Sequence, residues 1–240
     1  MKKRSKGSKR SKGFTLIELI MVLAIIMLAF SFIVISTTND EGVSLKSSQR
    51  ILSSITQGVR GQAILKQTPA RLIIYADKGE DREDDKYLRF FGIITQDPQD
   101  SSKWIAGTKG TYLPKGIYFM PKLSQIANGR DKKVGKMRLE YPRIRSKSGD
   151  PRMGENYYFY EFNANGTTAS KFVNAWLIFG AGVLKPDENR QLDVSFDDPA
   201  LSGLKSALIF RRVGSTTLIT DSNQIDAVSQ TKVKGSSIKE

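Results

Sequence analysis

Apolar positions along the 240-residue chain follow three successive patterns. From 14 to 35, in "FTLIELIMVLAIIMLAFSFIVI", they are continuous, and Glu18 is the single charge among them. From 43 to 66 they thin to a stripe. Ile51, Leu52, Ile55, Val59, Ala63 and Ile64 recur at intervals of three and four, the spacing of one face of an amphipathic helix. Gly58 and Gly61 lower the intrinsic propensity of that helix, and Pro69 closes it. Beyond Pro69 the apolar residues come in short runs rich in aromatic and β-branched side chains, as sheets prefer.

These runs predict strands at 71–76 and 87–95, a hairpin whose long tip is acidic, and further strands at 116–120, 157–162, 175–179, 191–196, 207–213 and 216–219. Asn163-Ala164-Asn165-Gly166 is a turn signal, and Gly214-Ser215 predicts the turn of a final hairpin. One long N-terminal helix followed by an antiparallel sheet is an α+β fold. The expected organisation is a basic leader at 1–13, an apolar helix at 14–35, an amphipathic helix at 36–68, a sheet domain at 69–220 and a polar, flexible tail at 221–240. No internal repeat interrupts it.

The 22 residues from Phe14 to Ile35 would reach about 33 Å as a helix, enough for a bilayer core of about 30 Å. Seven Lys and Arg and no acid precede them in residues 1–13, which predicts a cytoplasmic N-terminus with the rest of the chain facing outward. A secretory signal peptide would have a shorter apolar core and small residues at its cleavage site, which Ser36-Thr37-Thr38-Asn39 matches poorly. A plain single-span anchor gives no reason for Glu18. A carboxylate at the centre of a membrane helix costs about 2.5–3.5 kcal/mol and calls for a partner. The segment itself is expected to hold none. Cleavage between Gly13 and Phe14 would create an ammonium about one helical turn from Glu18, in its own chain or in a neighbour.

A basic leader ending in Gly13, then Phe14-Thr15-Leu16-Ile17-Glu18, then unbroken apolar helix, resembles the prepilin signal of type IV pilins and type II secretion pseudopilins. The resemblance implies cleavage after Gly13 by an inner-membrane prepilin peptidase and N-methylation of Phe14. It also implies that Glu18 pairs with a neighbour's amino terminus in a filament. The amphipathic helix followed by "ARLIIYA", with "YLPKGIYF" at 112–119 and "YEFNANGT" at 160–167, loosely resembles the H-type, FimT-like minor pseudopilins. The chain is long for that group, which places an insertion at 121–156. It also lacks the proline that many pilins carry in the membrane segment, having none before Pro69.

Composition narrows the chemistry. There is no Cys and no His, which excludes Cys/His zinc sites, Ser-His-Asp catalysis, cysteine nucleophiles and disulfides. The net charge of +14 falls to +7 once the seven cations of the leader are removed. Six carboxylates crowd residues 77–85, with Asp81, Asp84 and Asp85 as weak calcium candidates, but the alternating pattern of a calcium loop is absent and a solvated hairpin tip is the plainer reading. Residues 130–152 hold nine Lys and Arg against three acids. Lys132, Lys133, Lys136, Arg138, Arg143, Arg145 and Lys147 could neutralise phosphates, with Tyr141 stacking on a base, or could dock on an acidic partner.

The expected protein is a non-enzymatic filament subunit without cofactor. Its expected partners are the prepilin peptidase, other pilins or pseudopilins in a hetero-oligomeric filament, and an inner-membrane assembly platform. It would be single-pass in the inner membrane, with its C-terminal domain periplasmic. The alternatives are a DNA-binding minor pilin and a singly anchored envelope protein.

Overall fold

The computed structural model describes residues 15–36, 40–78, 86–126, 133–142, 154–187 and 191–227. The chain divides into two compact units, 1–40 and 41–240. The first is built on helix α1 (Leu16–Ser36). Its described side chains, 15–27, are all exposed, although nearly all are apolar. Among the described residues no helix is long and apolar enough to cross a membrane. In α1 the described side chains end at Met27, while the helical backbone runs on to Ser36.

The second unit opens with α2 (Asp40–Lys66). Leu52, Val59 and Ala63 of the expected stripe are fully buried, while Ile51 and Ile55 flank them and Ile64 is exposed. The buried line is longer than the apolar spacing alone predicts. Leu45, Ser48 and Thr56 belong to it as well. The two hydroxyls pass into the core because the helix's own backbone satisfies them: Ser48 Oγ donates to the Ser44 carbonyl at 2.8 Å and Thr56 Oγ1 to that of Leu52 at 2.6 Å.

Twelve strands follow among the described residues: β1 (Ala70–Tyr75), β2 (Phe90–Gln96), β3 (Trp104–Ala106), β4 (Thr111–Tyr112), β5 (Ile117–Phe119), β6 (Lys136–Leu139), β7 (Glu155–Phe162), β8 (Trp176–Ala181), β9 (Val183–Pro186), β10 (Leu192–Ser195), β11 (Lys205–Phe210) and β12 (Thr216–Ile219). All pairings are antiparallel, so the α+β class holds. The strands form more than one sheet. The first has the order β3-β2-β1-β7-β6, with β4 also beside β2. The second has the order β12-β11-β8-β5, and β9-β10 is a separate hairpin.

Strand alternation sorts the side chains into cores. Leu72 and Ile74 of β1, Phe91 and Ile93 of β2, Tyr160 and Phe162 of β7, Leu177 and Phe179 of β8, and Leu208 and Phe210 of β11 share one core with α2. Their neighbours Ile73, Tyr75, Phe90, Ile94 and Tyr157 face the other way and form a second cluster. That outer cluster is closed by Tyr141 and Trp104. Arg71 reinforces it, lying 3.9 Å from the Trp104 ring centroid and 4.3 Å from that of Phe159, with Glu161 Oε2 at 2.6 Å from its Nε.

The hairpins at 70–96 and 205–219 form where the apolar runs place them. β3, β4, β6 and β9 are too short or too polar to announce themselves. Lys136–Leu139, "KMRL", is a strand because it lies along β7, not because of its own pattern. Residues 86–89 turn instead of extending, with Leu88 at φ +56°. Residues 222–227, expected as part of a polar tail, make a short helix that buries Ile225 against Met120, Ile178 and Ala207.

Candidate functional site

The first turn of α1 corrects the expectation that Glu18 has no partner within its own segment: Thr15 is one. A helix start leaves four backbone N–H groups without intrahelical acceptors, a severe cost where water is scarce. Here Thr15 and Glu18 satisfy each other. The Thr15 backbone N–H and its hydroxyl each donate to Glu18 Oε2 at 2.9 Å, and the Glu18 N–H donates to Thr15 Oγ1 at 3.3 Å. This is a reciprocal capping box, Thr-x-x-Glu, in which the N-cap hydroxyl and the carboxylate three residues on close the turn. Both donors converge on one carboxylate oxygen, and among the described residues none reaches Oε1. Glu18 therefore caps its own helix through one carboxylate oxygen, with no further partner for the other among the described residues. Gly13 and Phe14, the expected processing residues, lie outside the described residues.

The basic segment is brought together only in part. Lys133 forms an isolated bridge with Gln125, and Lys136 and Arg138 project from β6 as exposed side chains. Lys132, Arg143, Arg145 and Lys147 lie outside the described residues. Tyr141 does not act as a stacking surface for a base. It is buried, packs edge-on to Phe90 at 5.6 Å, and donates its hydroxyl to the Thr108 carbonyl. Its ring also presses on Gly92, where an added Cβ would come within 2.8 Å of the Tyr141 Cζ. Burial pushes the phenol's pKa upward. Tyr141 is a staple on the outer face of the first sheet.

Asp81, Asp84 and Asp85 lie outside the described residues. Among the described residues no cluster of carboxylates is arranged to hold a metal ion. The flanks of the acidic tip have structural partners. Asp77 accepts from the Asn156 backbone at 2.7 Å, and Lys78 bridges Asp187 at 2.8 Å and Asp193 at 2.9 Å. Those two pairs tie the root of the β1–β2 connection to the β9–β10 hairpin.

Residues 8–34 match the family model described as the prokaryotic N-terminal methylation motif. No curated protein and no solved structure matches the chain. The matched segment contains the leader's end, Gly13, Phe14, the Thr15–Glu18 cap and most of α1. That motif, together with an α+β domain whose helix lies on antiparallel sheets, supports a type IV pilin-like protein, a class that includes pilins and pseudopilins. The motif implies processing by a prepilin peptidase and assembly with other pilins.

Proposed function

We propose that the chain is a structural subunit of a type IV pilus or of a type II secretion pseudopilus. It is cut between Gly13 and Phe14 and methylated on the new amine. The apolar run to Ile35 first anchors it in the inner membrane, N-terminus cytoplasmic and sheet domain periplasmic, and then packs into a filament core with other pilins. It works by assembly, without catalysing a reaction.

The observation that carries this reading is the methylation-motif match at 8–34 with Glu18 locked in the first helical turn. Thr15 fixes one carboxylate oxygen and leaves Oε1 to meet a neighbour's ammonium. A charged donor on a carboxylate makes a hydrogen bond about twice as strong as a neutral pair, more so away from water. The amino terminus keeps its positive charge after methylation.

Glu18→Gln tests this directly. Gln at the third helical position still supports a capping box but carries no charge. Incorporation of the variant into filaments sheared from native cells should fall at least tenfold while its membrane level stays unchanged. Normal incorporation of Glu18→Gln would remove the charge pair from the account.

A further inference from the structure

The globular unit holds a cleft of about 740 Å³, a size typical of binding sites. It lies where the segment after β5, the start of β6, β7 and the end of β10 converge. Its floor is apolar, formed by Leu88, Val134, Tyr158, Val194, Phe196 and Leu204. Its rim is cationic: Lys122, Lys133 and Lys136 line it and are exposed. Two other charged residues of the lining have partners outside it, Asp193 with Lys78 at 2.9 Å and Lys205 with Asp226 at 2.6 Å. Asp197 is the remaining acid facing three lysines, and among the described residues no carboxylate pairs with any of those three.

One wall of the cleft is also a sheet edge. β6 pairs with β7 and, among the described residues, is the last strand of its sheet. The Phe159 N–H donates to the Gly135 carbonyl at 3.3 Å. By the alternation of antiparallel pairing, the backbone N–H and C=O of Lys136 turn away from β7. The Lys136 side chain lines the cleft and lies 4.8 Å from the Tyr158 ring centroid. Lys136, whose outward backbone groups meet no partner among the described residues, stands beside an apolar hollow with cations on its rim; together these give what a strand-adding ligand needs: main-chain hydrogen bonds for affinity, and pockets for alternate side chains.

We propose that this cleft receives an extended segment of a partner protein, which adds to β6 and carries an apolar side chain and a carboxylate two residues apart. Side chains two apart share a face of a strand. The apolar one fills the hollow over Val134 and Phe196, and the carboxylate meets Lys133 and Lys136. A duplex or single-stranded nucleic acid offers these lysines charge but gives the edge no strand and the hollow no aliphatic group. The proposal stands on the globular unit and goes beyond the filament reading.

The test uses the full chain in a non-ionic detergent and four labelled, end-capped nonapeptides read by fluorescence anisotropy. The first has Leu and Glu alternating on one face with Ser between. The second replaces Glu by Lys, the third replaces Leu by Ser, and the fourth is the first with N-methylated Ser amides. The first peptide should bind saturably, and each of the others at least tenfold more weakly. Lys133→Glu with Lys136→Glu should weaken the first peptide at least tenfold without lowering the melting temperature. The proposal fails if the first peptide does not bind, or if the N-methylated or Lys peptide binds equally well. Full displacement of the first peptide by octanoate would assign the cleft to a small anion instead. Tighter binding of a single-stranded oligonucleotide, with the same sensitivity to the charge reversals, would assign the lysines to nucleic acid.

Discussion

Glu18 belongs to two structures at once, its own helix and, in the proposed assembly, a neighbour's terminus. The Thr15 hydroxyl isolates the first role. Thr15→Val removes the hydroxyl but leaves the Thr15 backbone N–H to donate to Glu18. Losing an N-cap hydroxyl costs about 1 kcal/mol. Amide exchange over the first turn of α1 should therefore quicken about fivefold in detergent, with filament incorporation close to that of the wild type. Incorporation lost in Thr15→Val as fully as in Glu18→Gln would mean that the cap, and not the charge, is what assembly reads. A second residue-scale prediction concerns Gly214, at φ +80° in the final hairpin turn. A Cβ there would stand 1.9 Å from the Gly166 carbonyl oxygen, so Gly214→Ala must move backbone. It should lower stability by about 1–3 kcal/mol, seen as a lower melting temperature; an unchanged one would contradict the close approach of these two turns. Thr-x-x-Glu before an apolar run is a legible capping signal. It is easy to pass over because a charge in a membrane-length segment invites a search for a distant partner.

Elements were legible in proportion to how much of their fate is local. α2 shows its stripe because helix periodicity is written in consecutive residues, and β1, β2, β7, β8 and β11 show themselves as apolar runs. Ser48 and Thr56 hide in the stripe because their burial depends on hydrogen bonds to the preceding turn. β6 hides because its strand character comes from a neighbour. The docking of the β9–β10 hairpin is likewise nonlocal, resting on Lys78 with Asp187 and Asp193. Partial burial pushes Asp193 upward, but the Lys78 ammonium and the Val194 N–H outweigh it and hold the carboxyl below its ordinary 3.8. Hydrogen bonds to Asp187 and then Asp193 raise Lys78 above its ordinary 10.5. A lowered carboxyl stabilises the fold above its unfolded value and loses that contribution as pH falls through its folded one. A raised amine stabilises below its unfolded value and loses that contribution as pH rises through its folded one. The wild type should therefore melt higher than Lys78→Met between about pH 5 and 10. The gap should narrow below pH 3.8 and above pH 10.5. A gap independent of pH would mean that the pair contributes through packing alone.

At the scale of the whole molecule, the two units were readable because they obey different rules: unbroken apolarity in one, alternation and turn chemistry in the other. The division of the strands into separate sheets was not readable, since which strand neighbours which is set by pairing between residues far apart in sequence, such as Leu72 with Tyr160. The basic segment shows the same limit. Its composition suggests one surface, yet Tyr141 within it is a core residue and Lys133 and Lys136 belong to a cleft. The filament reading depends on processing, and processing leaves a covalent record. The most direct test is the mass of the N-terminal peptide from native membranes. The account predicts a chain that starts at Phe14 and carries one added methyl, with this product lost in Gly13→Ala. A wild-type chain that keeps residues 1–13 would contradict it, because no free amine would then stand near Glu18.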